Sequence, residues 1–216
     1  MKHEVALFDL DGVVINTESQ YTGFWAGVGE RYFHSGTKFA NMIKGATLVQ
    51  IFDKYFRDAH KAQREITASL DDFEKSMSYE YIEGFPKFVS DIRRASIKTS
   101  SNIKKMENVY RAHPEFHDLF DVILTSEDFE RSKPDPDCYF KGAEHFGVQP
   151  NMCIGFEDSI NGLKAVNAAG MYCVGLETTN PHDVVAEYAD MVIDNYLDTD
   201  DKEGNGKYNK LMGLFV

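Results

Sequence analysis

Two carboxylates, Asp9 and Asp11, directly follow a short apolar run, Val5–Phe8. A short apolar run closed by a turn signal is typical of a buried strand in a parallel sheet, so both acids are predicted at its carboxyl end. Open α/β sheets bind their ligands at that edge. Residues i and i+2 of an extended segment point the same way, and Gly12 lets the backbone turn sharply beside a ligand. The pair is a candidate for chemistry on a bound ligand.

A second acidic pair, Glu157 and Asp158, follows another apolar run, 152–156. If that run is a strand next to the first, its acids face Asp9 and Asp11. Such a set of hard oxygen ligands is what Mg²⁺ prefers, with waters completing the octahedron. An acidic helix N-terminus would explain one of the later acids but not both. A Mg²⁺ site is therefore predicted at this edge.

Lys133 stands before two prolines in Lys133-Pro134-Asp135-Pro136. Proline fixes its own backbone and moves the preceding residue away from helical geometry. The segment is predicted to be a rigid loop that presents one ammonium group at a set place. Taken in isolation, the segment would be interpreted as an ordinary surface loop.

The helical stretch from residue 17 to 81 has apolar residues at helical spacing, for example Tyr21, Trp25 and Val28. Strand candidates resume only after it. We predict an α/β fold, a doubly wound parallel sheet, with core residues 1–16 and 82–216 and an inserted α-helical cap of residues 17–81. A cap of this kind would close over the site and exclude water. The polar stretch 198–209 is predicted to be a mobile tail.

Composition limits the possible partners. The chain has 216 residues, enough for one α/β domain with an inserted module, and a formal net charge of −12. Nucleic acid and anionic membranes both require a basic face, so neither is an expected partner. The three cysteines lack the spacing of disulfides or zinc sites, and no apolar run reaches the roughly 18 residues of a membrane span. We expect a cytoplasmic monomer.

Four segments, taken in chain order, resemble the four motifs of the haloacid dehalogenase superfamily of phosphoryl-transfer enzymes. They are Asp9-Leu10-Asp11-Gly12-Val13, Thr99 with Ser100, Ser101 and Asn102, Lys133-Pro134-Asp135-Pro136, and Glu157-Asp158-Ser159-x-x-Gly162. The cap position resembles the subfamily that contains β-phosphoglucomutase and many sugar-phosphate phosphatases. The resemblance implies a Rossmann-like core, the same cap in the same place and a small phosphorylated substrate.

The resemblance also implies residue roles. Asp9 would be the nucleophile that forms an aspartyl phosphate, and Asp11 the general acid and base. Thr99, the Ser100 amide and Lys133 would bind the phosphoryl oxygens.

The implied metal set consists of Asp9, the backbone carbonyl of Asp11, Glu157 and Asp158. The ion expected there is Mg²⁺.

The cap distinguishes a mutase from a phosphatase. The mutase carries a His in its linker helix and a Lys-Gly-x-x-Arg run that grips a distal phosphate. In this chain, Tyr21 stands at the position of that histidine. The corresponding cap run is Lys44-Gly45-Ala46-Thr47-Leu48, in which Leu48 stands in place of the arginine. Loss of a bidentate cation favours hydrolysis of a sugar phosphate, with a mutase as the alternative. Tyr21, Lys44 and Thr47 are the candidate substrate-facing residues, or else ordinary cap packing.

The segment before Thr99 departs from the family pattern. Only 96–98 is available as a strand, so the central strand is expected to lack about four residues of the usual length. Lost ladder bonds and packing could then exceed a marginal domain's stability and displace Thr99. That expectation supports a second alternative, a catalytically impaired homologue that binds a phosphometabolite. Thr99 could also be a plain helix N-cap.

Overall fold

The computed structural model describes residues 2–92, 95–99, 101–197 and 206–215. Its centre is one six-stranded sheet in the order β3-β2-β1-β4-β5-β6, with every neighbouring pair parallel. This order reverses between β1 and β4, which is the switch point where doubly wound folds bind ligands. The predicted α/β class is confirmed. The strands are β1 Val5–Phe8, β2 Ala95–Lys98, β3 Val122–Leu124, β4 Cys153–Glu157, β5 Tyr172–Leu176 and β6 Met191–Ile193.

Strands β1 and β4 form the buried centre of the sheet. Their register pairs Val5 with Cys153 and Phe8 with Phe156, so the segments that follow the two strands leave the sheet side by side. Alternating residues pack into two separate apolar clusters: Phe8 lies in one and Leu7 in the other. Because side chains alternate across a strand, each face of the sheet has its own core.

The expected shortening of the central strand is wrong. Strand β2 has four residues, as many as β1, and pairs with both β1 and β3. The backbone N–H of Thr99 continues this pairing by donating to the Leu124 carbonyl at 2.9 Å. Thr99 is therefore in register at the carboxyl end of the sheet. Strand pairing uses backbone groups, so the polar residues that made the segment look deficient do not prevent it.

Core helices cover both faces of the sheet. They are α5 Phe85–Asp91, α6 Ile103–Ala112, α7 Asp137–His145, α8 Ile160–Ala168, α9 His182–Ala186 and α10 Lys207–Met212, with 3₁₀ helices at Phe116–Leu119 and Pro150–Met152. The prediction of a mobile tail over 198–209 is wrong for its last residues, since residues 207–209 begin α10. Tyr208 and Leu211 of that helix are buried in the core. Residues 198–205 lie outside the described part of the chain.

The helical insertion comprises α1 Glu18–Phe33, α2 Gly36–Met42, α3 Leu48–Tyr55 and α4 His60–Ser76. It has its own buried cluster, which includes Phe39, Ile51 and Phe56. The chain enters and leaves it side by side, through an isolated antiparallel bridge between Ile15 and Tyr81. The domain limits at 16/17 and 81/82 stay a prediction. Among the described residues, no helix is both long and apolar enough to cross a membrane.

Candidate active site

A cavity of about 270 Å³ lies between the carboxyl ends of the strands and the helical insertion. It collects predicted residues from four separate segments of the core and from the insertion. Among the residues that line it are Asp9, Asp11, Thr99, Lys133, Asp158, Tyr21, Lys44 and Thr47. Ser100, also predicted to bind phosphate, lies outside the described residues. The cavity is where the sheet order reverses, as expected for a doubly wound fold.

Lys133 bridges the carboxylates of Asp9, which follows β1, and Glu157, which ends β4. Its ammonium lies 2.6 Å from Asp9 Oδ1 and 2.6 Å from Glu157 Oε1, and the residue is only 6% exposed. Burial would lower the pKa of Lys133, but the charges of Asp9 and Glu157 outweigh it and raise that pKa well above its usual value. The Tyr139 hydroxyl donates to the same Glu157 oxygen at 2.6 Å. Lys133 is therefore a fixed cation beside the candidate nucleophile.

Three carboxylates, Asp9, Glu157 and Asp158, each place one oxygen within 4.8 Å of the others. Burial, followed by the charges of Glu18, Glu157 and Asp9, raises the pKa of Asp158 well above its ordinary value. Three carboxylates beside one ammonium leave two negative charges in excess. All the donors are hard oxygens, so the set fits a divalent cation such as Mg²⁺. Asp11 does not contribute its carboxylate to this group.

Two glycines make room for this cluster. Gly12 has a φ of +69°, and a Cβ there would overlap the Asp158 carboxylate; a Cβ at Gly162 would overlap the Glu157 carboxylate. The Glu-Asp-Ser-x-x-Gly spacing therefore has a packing reason. Beyond β5, Thr178 donates to the Gly12 carbonyl at 2.6 Å.

Thr179 and Tyr139 also hold acids of the cluster in place. The Thr179 hydroxyl donates to Asp158, as Tyr139 does to Glu157. Sequence reasoning missed Thr178, Thr179 and Tyr139, because nothing in their local pattern marks them.

Asp11 has different surroundings. The Thr17 hydroxyl donates to its Oδ1 at 2.6 Å, the Ser101 hydroxyl donates to its Oδ2 at 3.1 Å, and the Lys105 ammonium lies 2.5 Å from both oxygens. Burial opposes ionisation, but Lys105 and these hydrogen bonds outweigh it, so the pKa of Asp11 lies below its usual range. Its predicted place in the metal set depends on its backbone carbonyl and stays a prediction. The sequence did not reveal which lysine of the pair Lys104 and Lys105 faces inward.

Thr99 is 1% exposed, and its hydroxyl accepts the Ser101 N–H at 2.9 Å. The N-cap of α6 is Asn102, whose side chain accepts the Lys105 N–H at 3.0 Å. The alternative that Thr99 is a plain N-cap is therefore wrong. Thr99 is placed with the acids of the cavity, while its contact with phosphate stays a prediction.

The three cap candidates line the cavity and also make packing contacts. The Tyr21 hydroxyl donates to Glu74 at 2.8 Å, and Lys44 donates to the Thr179 carbonyl at 3.2 Å. Thr47 caps α3, where its hydroxyl accepts the Gln50 N–H at 3.3 Å. Packing and substrate contact are thus compatible for each of these residues.

Comparison with known proteins extends this description. Residues 6–176 match the model of the haloacid dehalogenase-like hydrolase family. A validoxylamine A 7'-phosphate phosphatase of Streptomyces hygroscopicus subsp. limoneus is 29% identical over 203 residues, which cover 88% of this chain and 93% of that protein. A fructose-1-phosphate phosphatase of Escherichia coli K12 is 27% identical over 180 residues, covering 78% and 93%.

The fold is shared with solved structures. A β-phosphoglucomutase of Clostridium difficile superposes with a TM-score of 0.73 at 24% identity, covering 98% of this chain and 99% of that one. The matched residues, 6–176, make up most of the chain and include all four motif segments. They end with the last residue of β5. The protein therefore belongs to the haloacid dehalogenase-like hydrolase family and is a phosphoric monoester hydrolase of it.

Proposed function

We propose that this chain is a Mg²⁺-dependent phosphatase that hydrolyses a small phosphorylated metabolite, a sugar phosphate, through an aspartyl phosphate on Asp9. The observation that carries the proposal is the contact of Asp9 with Lys133 beside Glu157 and Asp158 at the switch point of the sheet. A carboxylate nucleophile must approach an anionic phosphoryl group, and that approach requires nearby positive charge. Lys133 supplies one part of it from the protein itself.

The reaction has two balanced halves. In the first, an Asp9 oxygen bonds to phosphorus while the ester bond breaks and its electron pair stays on the leaving oxygen. The anionic phosphate beside Asp11 would favour the protonated form of Asp11 in the complex, and Asp11 gives that proton to the leaving oxygen. In the second, Asp11 takes a proton from water, the water oxygen bonds to phosphorus, and the bond from Asp9 to phosphorus breaks. Phosphate leaves and Asp9 is restored.

The remaining polar groups bind and orient the phosphoryl group. Lys133 and the Thr99 hydroxyl would hold its oxygens in the transition state. Asp9, Glu157 and Asp158 would hold Mg²⁺ with the Asp11 carbonyl. When bound, this ion would offset the repulsion between nucleophile and phosphate.

The size of the cavity and the relatives support a small substrate. Ligand pockets commonly measure about 300–1,000 Å³, and this cavity of about 270 Å³ lies just below that range. Of the two relatives described above, one is named a fructose-1-phosphate phosphatase and the other a validoxylamine A 7'-phosphate phosphatase. A sugar monophosphate is therefore the substrate class we propose.

Two observations weigh against the alternatives. Leu48 lines the cavity at the place where a mutase would need an arginine, so this position offers no bidentate grip on a second phosphate. The intact pairing of β2 removes the reason to expect a catalytically impaired homologue. Both observations favour hydrolysis.

Phosphate release from a panel of sugar monophosphates, with Mg²⁺ at about 5 mM, tests this function. Asp9→Asn should lower the release by about 10³-fold or more, because the nucleophile is lost. Asp53→Asn, a matched change at an exposed acid paired with Arg57 in the helical insertion, should leave it unchanged. Release that survives in Asp9→Asn, or that ignores a chelator, would contradict the proposal.

A further inference from the structure

We propose that Lys105 is a positioning residue for Asp11 and that it orients this carboxyl group, protonated in the substrate complex, for proton transfer to the leaving oxygen. The inference depends on the proposed phosphatase function and extends it to a residue outside the four motifs. Lys105 lies on α6, is 4% exposed, and places its ammonium 2.5 Å from both oxygens of Asp11. An ammonium this close to both oxygens holds the carboxyl group in position.

The ammonium is itself held from the helical insertion. It lies 4.5 Å from the centre of the Tyr21 ring, and the Tyr21 hydroxyl donates to buried Glu74 at 2.8 Å. Glu74 comes from α4, whereas Asp11 and Lys105 belong to the core. Lys105 therefore connects the candidate acid and base to two helices of the insertion.

The other donors to Asp11 cannot replace this contact. Thr17 and Ser101 donate through hydroxyl groups, one to each oxygen. Hydroxyl hydrogens rotate to suit their acceptors, so they follow the carboxylate more than they direct it. Proton transfer depends on geometry at the scale of a hydrogen bond, and a misplacement of about 1 Å can cost about 10²-fold in rate.

A purely structural role for Lys105 makes a different prediction. If Lys105 only balances buried charge, its loss should lower all activities alike through a damaged fold. If it positions Asp11, the loss should depend on how much the leaving group needs a proton. An alkoxide leaving group needs one, whereas p-nitrophenolate leaves as a stable anion.

The experiment compares kcat/KM for an alkyl phosphate and for p-nitrophenyl phosphate in wild type, Lys105→Met and Lys104→Met. This ratio reports the steps up to formation of the aspartyl phosphate. Lys104 is the matched control, since it is the next residue on α6 but is exposed and pairs with Asp71 at 2.9 Å. We expect Lys105→Met to lose about 10–100-fold on the alkyl phosphate and less than about threefold on p-nitrophenyl phosphate. Lys104→Met should match wild type on both.

An equal loss on both substrates, or no loss on the alkyl phosphate, would overturn the inference. If Lys105→Met does not fold cooperatively, Lys105→Arg, which retains the positive charge, undergoes the same pair of assays. It should lose more activity on the alkyl phosphate than on p-nitrophenyl phosphate, and equal losses on the two substrates would again overturn the inference. A wild type whose release does not depend on Asp9 would instead refute the proposed function, so the two failures are distinguishable.

Discussion

Asp9 and Asp11 lie two residues apart, yet they belong to clusters with different electrostatics. Asp9 lies with Glu157 and Asp158 beside the ammonium of Lys133, and the pKa of Asp158 is raised well above its usual value. The carboxyl of Asp11 is in direct contact with the ammonium of Lys105, and its pKa is lowered. One loop therefore supplies an acid to a cluster with excess negative charge and another acid to a locally compensated pair.

The contrast shows why the same residue type is suited to two tasks. A cluster with excess negative charge binds a divalent cation, since the repulsion among its acids is relieved when the ion enters. A carboxylate fixed by an ammonium and two hydroxyls is oriented by the protein itself. We therefore expect the proposed Mg²⁺ to relieve the repulsion among the Asp9, Glu157 and Asp158 carboxylates, whereas the Asp11 carboxylate is held by protein groups.

The largest expected effect comes from removing the ammonium of the Asp9 cluster. Lys133→Met leaves buried Asp9 and Glu157 without this partner. Breaking a buried ion pair costs about 3–5 kcal/mol of unfolding free energy. We expect a loss of that size in urea unfolding of the chelator-treated protein, together with near-complete loss of phosphate release. Lys164→Met, a change at an exposed lysine over the Tyr188 ring, is the control and should stay close to wild type. Unchanged stability in Lys133→Met would contradict the excess of charge.

Sequence reasoning identified the acids and Lys133 because each follows a strand-like run or lies in a proline-fixed loop. Residue type and chain order are sufficient for that purpose. Such reasoning missed Lys105, since α6 carries adjacent lysines and only packing decides which one is buried. It misjudged β2 because apolar composition was used as a measure of strand length, whereas the ladder is made by backbone groups.

The second prediction is that replacing Asp158 raises the stability of the metal-free protein but weakens metal binding. Asp158→Asn removes one of the repelling carboxylates but retains an oxygen that can accept from Thr179. Without metal, the variant should melt about 2–4 °C higher at neutral pH, equivalent to about 1 kcal/mol. Its Mg²⁺ affinity, measured by calorimetric titration, should fall by about 10–100-fold.

The pH dependence of the stability gained in Asp158→Asn is the control for this prediction. A raised pKa means that ionisation of Asp158 costs stability once the pH exceeds the unfolded value of about 3.9. The stabilisation in Asp158→Asn should therefore appear as the pH rises from 3.5 to 7, roughly the range of carboxyl titration. A variant that melts below wild type at neutral pH, both without metal, would contradict the repulsion.

The smallest effect is expected at Glu74, an acid whose charge is partly offset by Lys105, the same lysine that contacts Asp11. Burial raises the pKa of Glu74, whereas Lys105 and the Tyr21 hydroxyl lower it, so the cost of its charge is partly offset. Glu74→Gln retains an acceptor for Tyr21 and should raise the unfolding free energy by about 0.5 kcal/mol at pH 7. Because the folded pKa is raised, this gain should vanish below the unfolded value of about 4.3. Urea unfolding of the metal-free variants at both pH values measures it. A gain at Glu74 as large as that at Asp158 would mean that Lys105 compensates its cluster no better than Lys133 does.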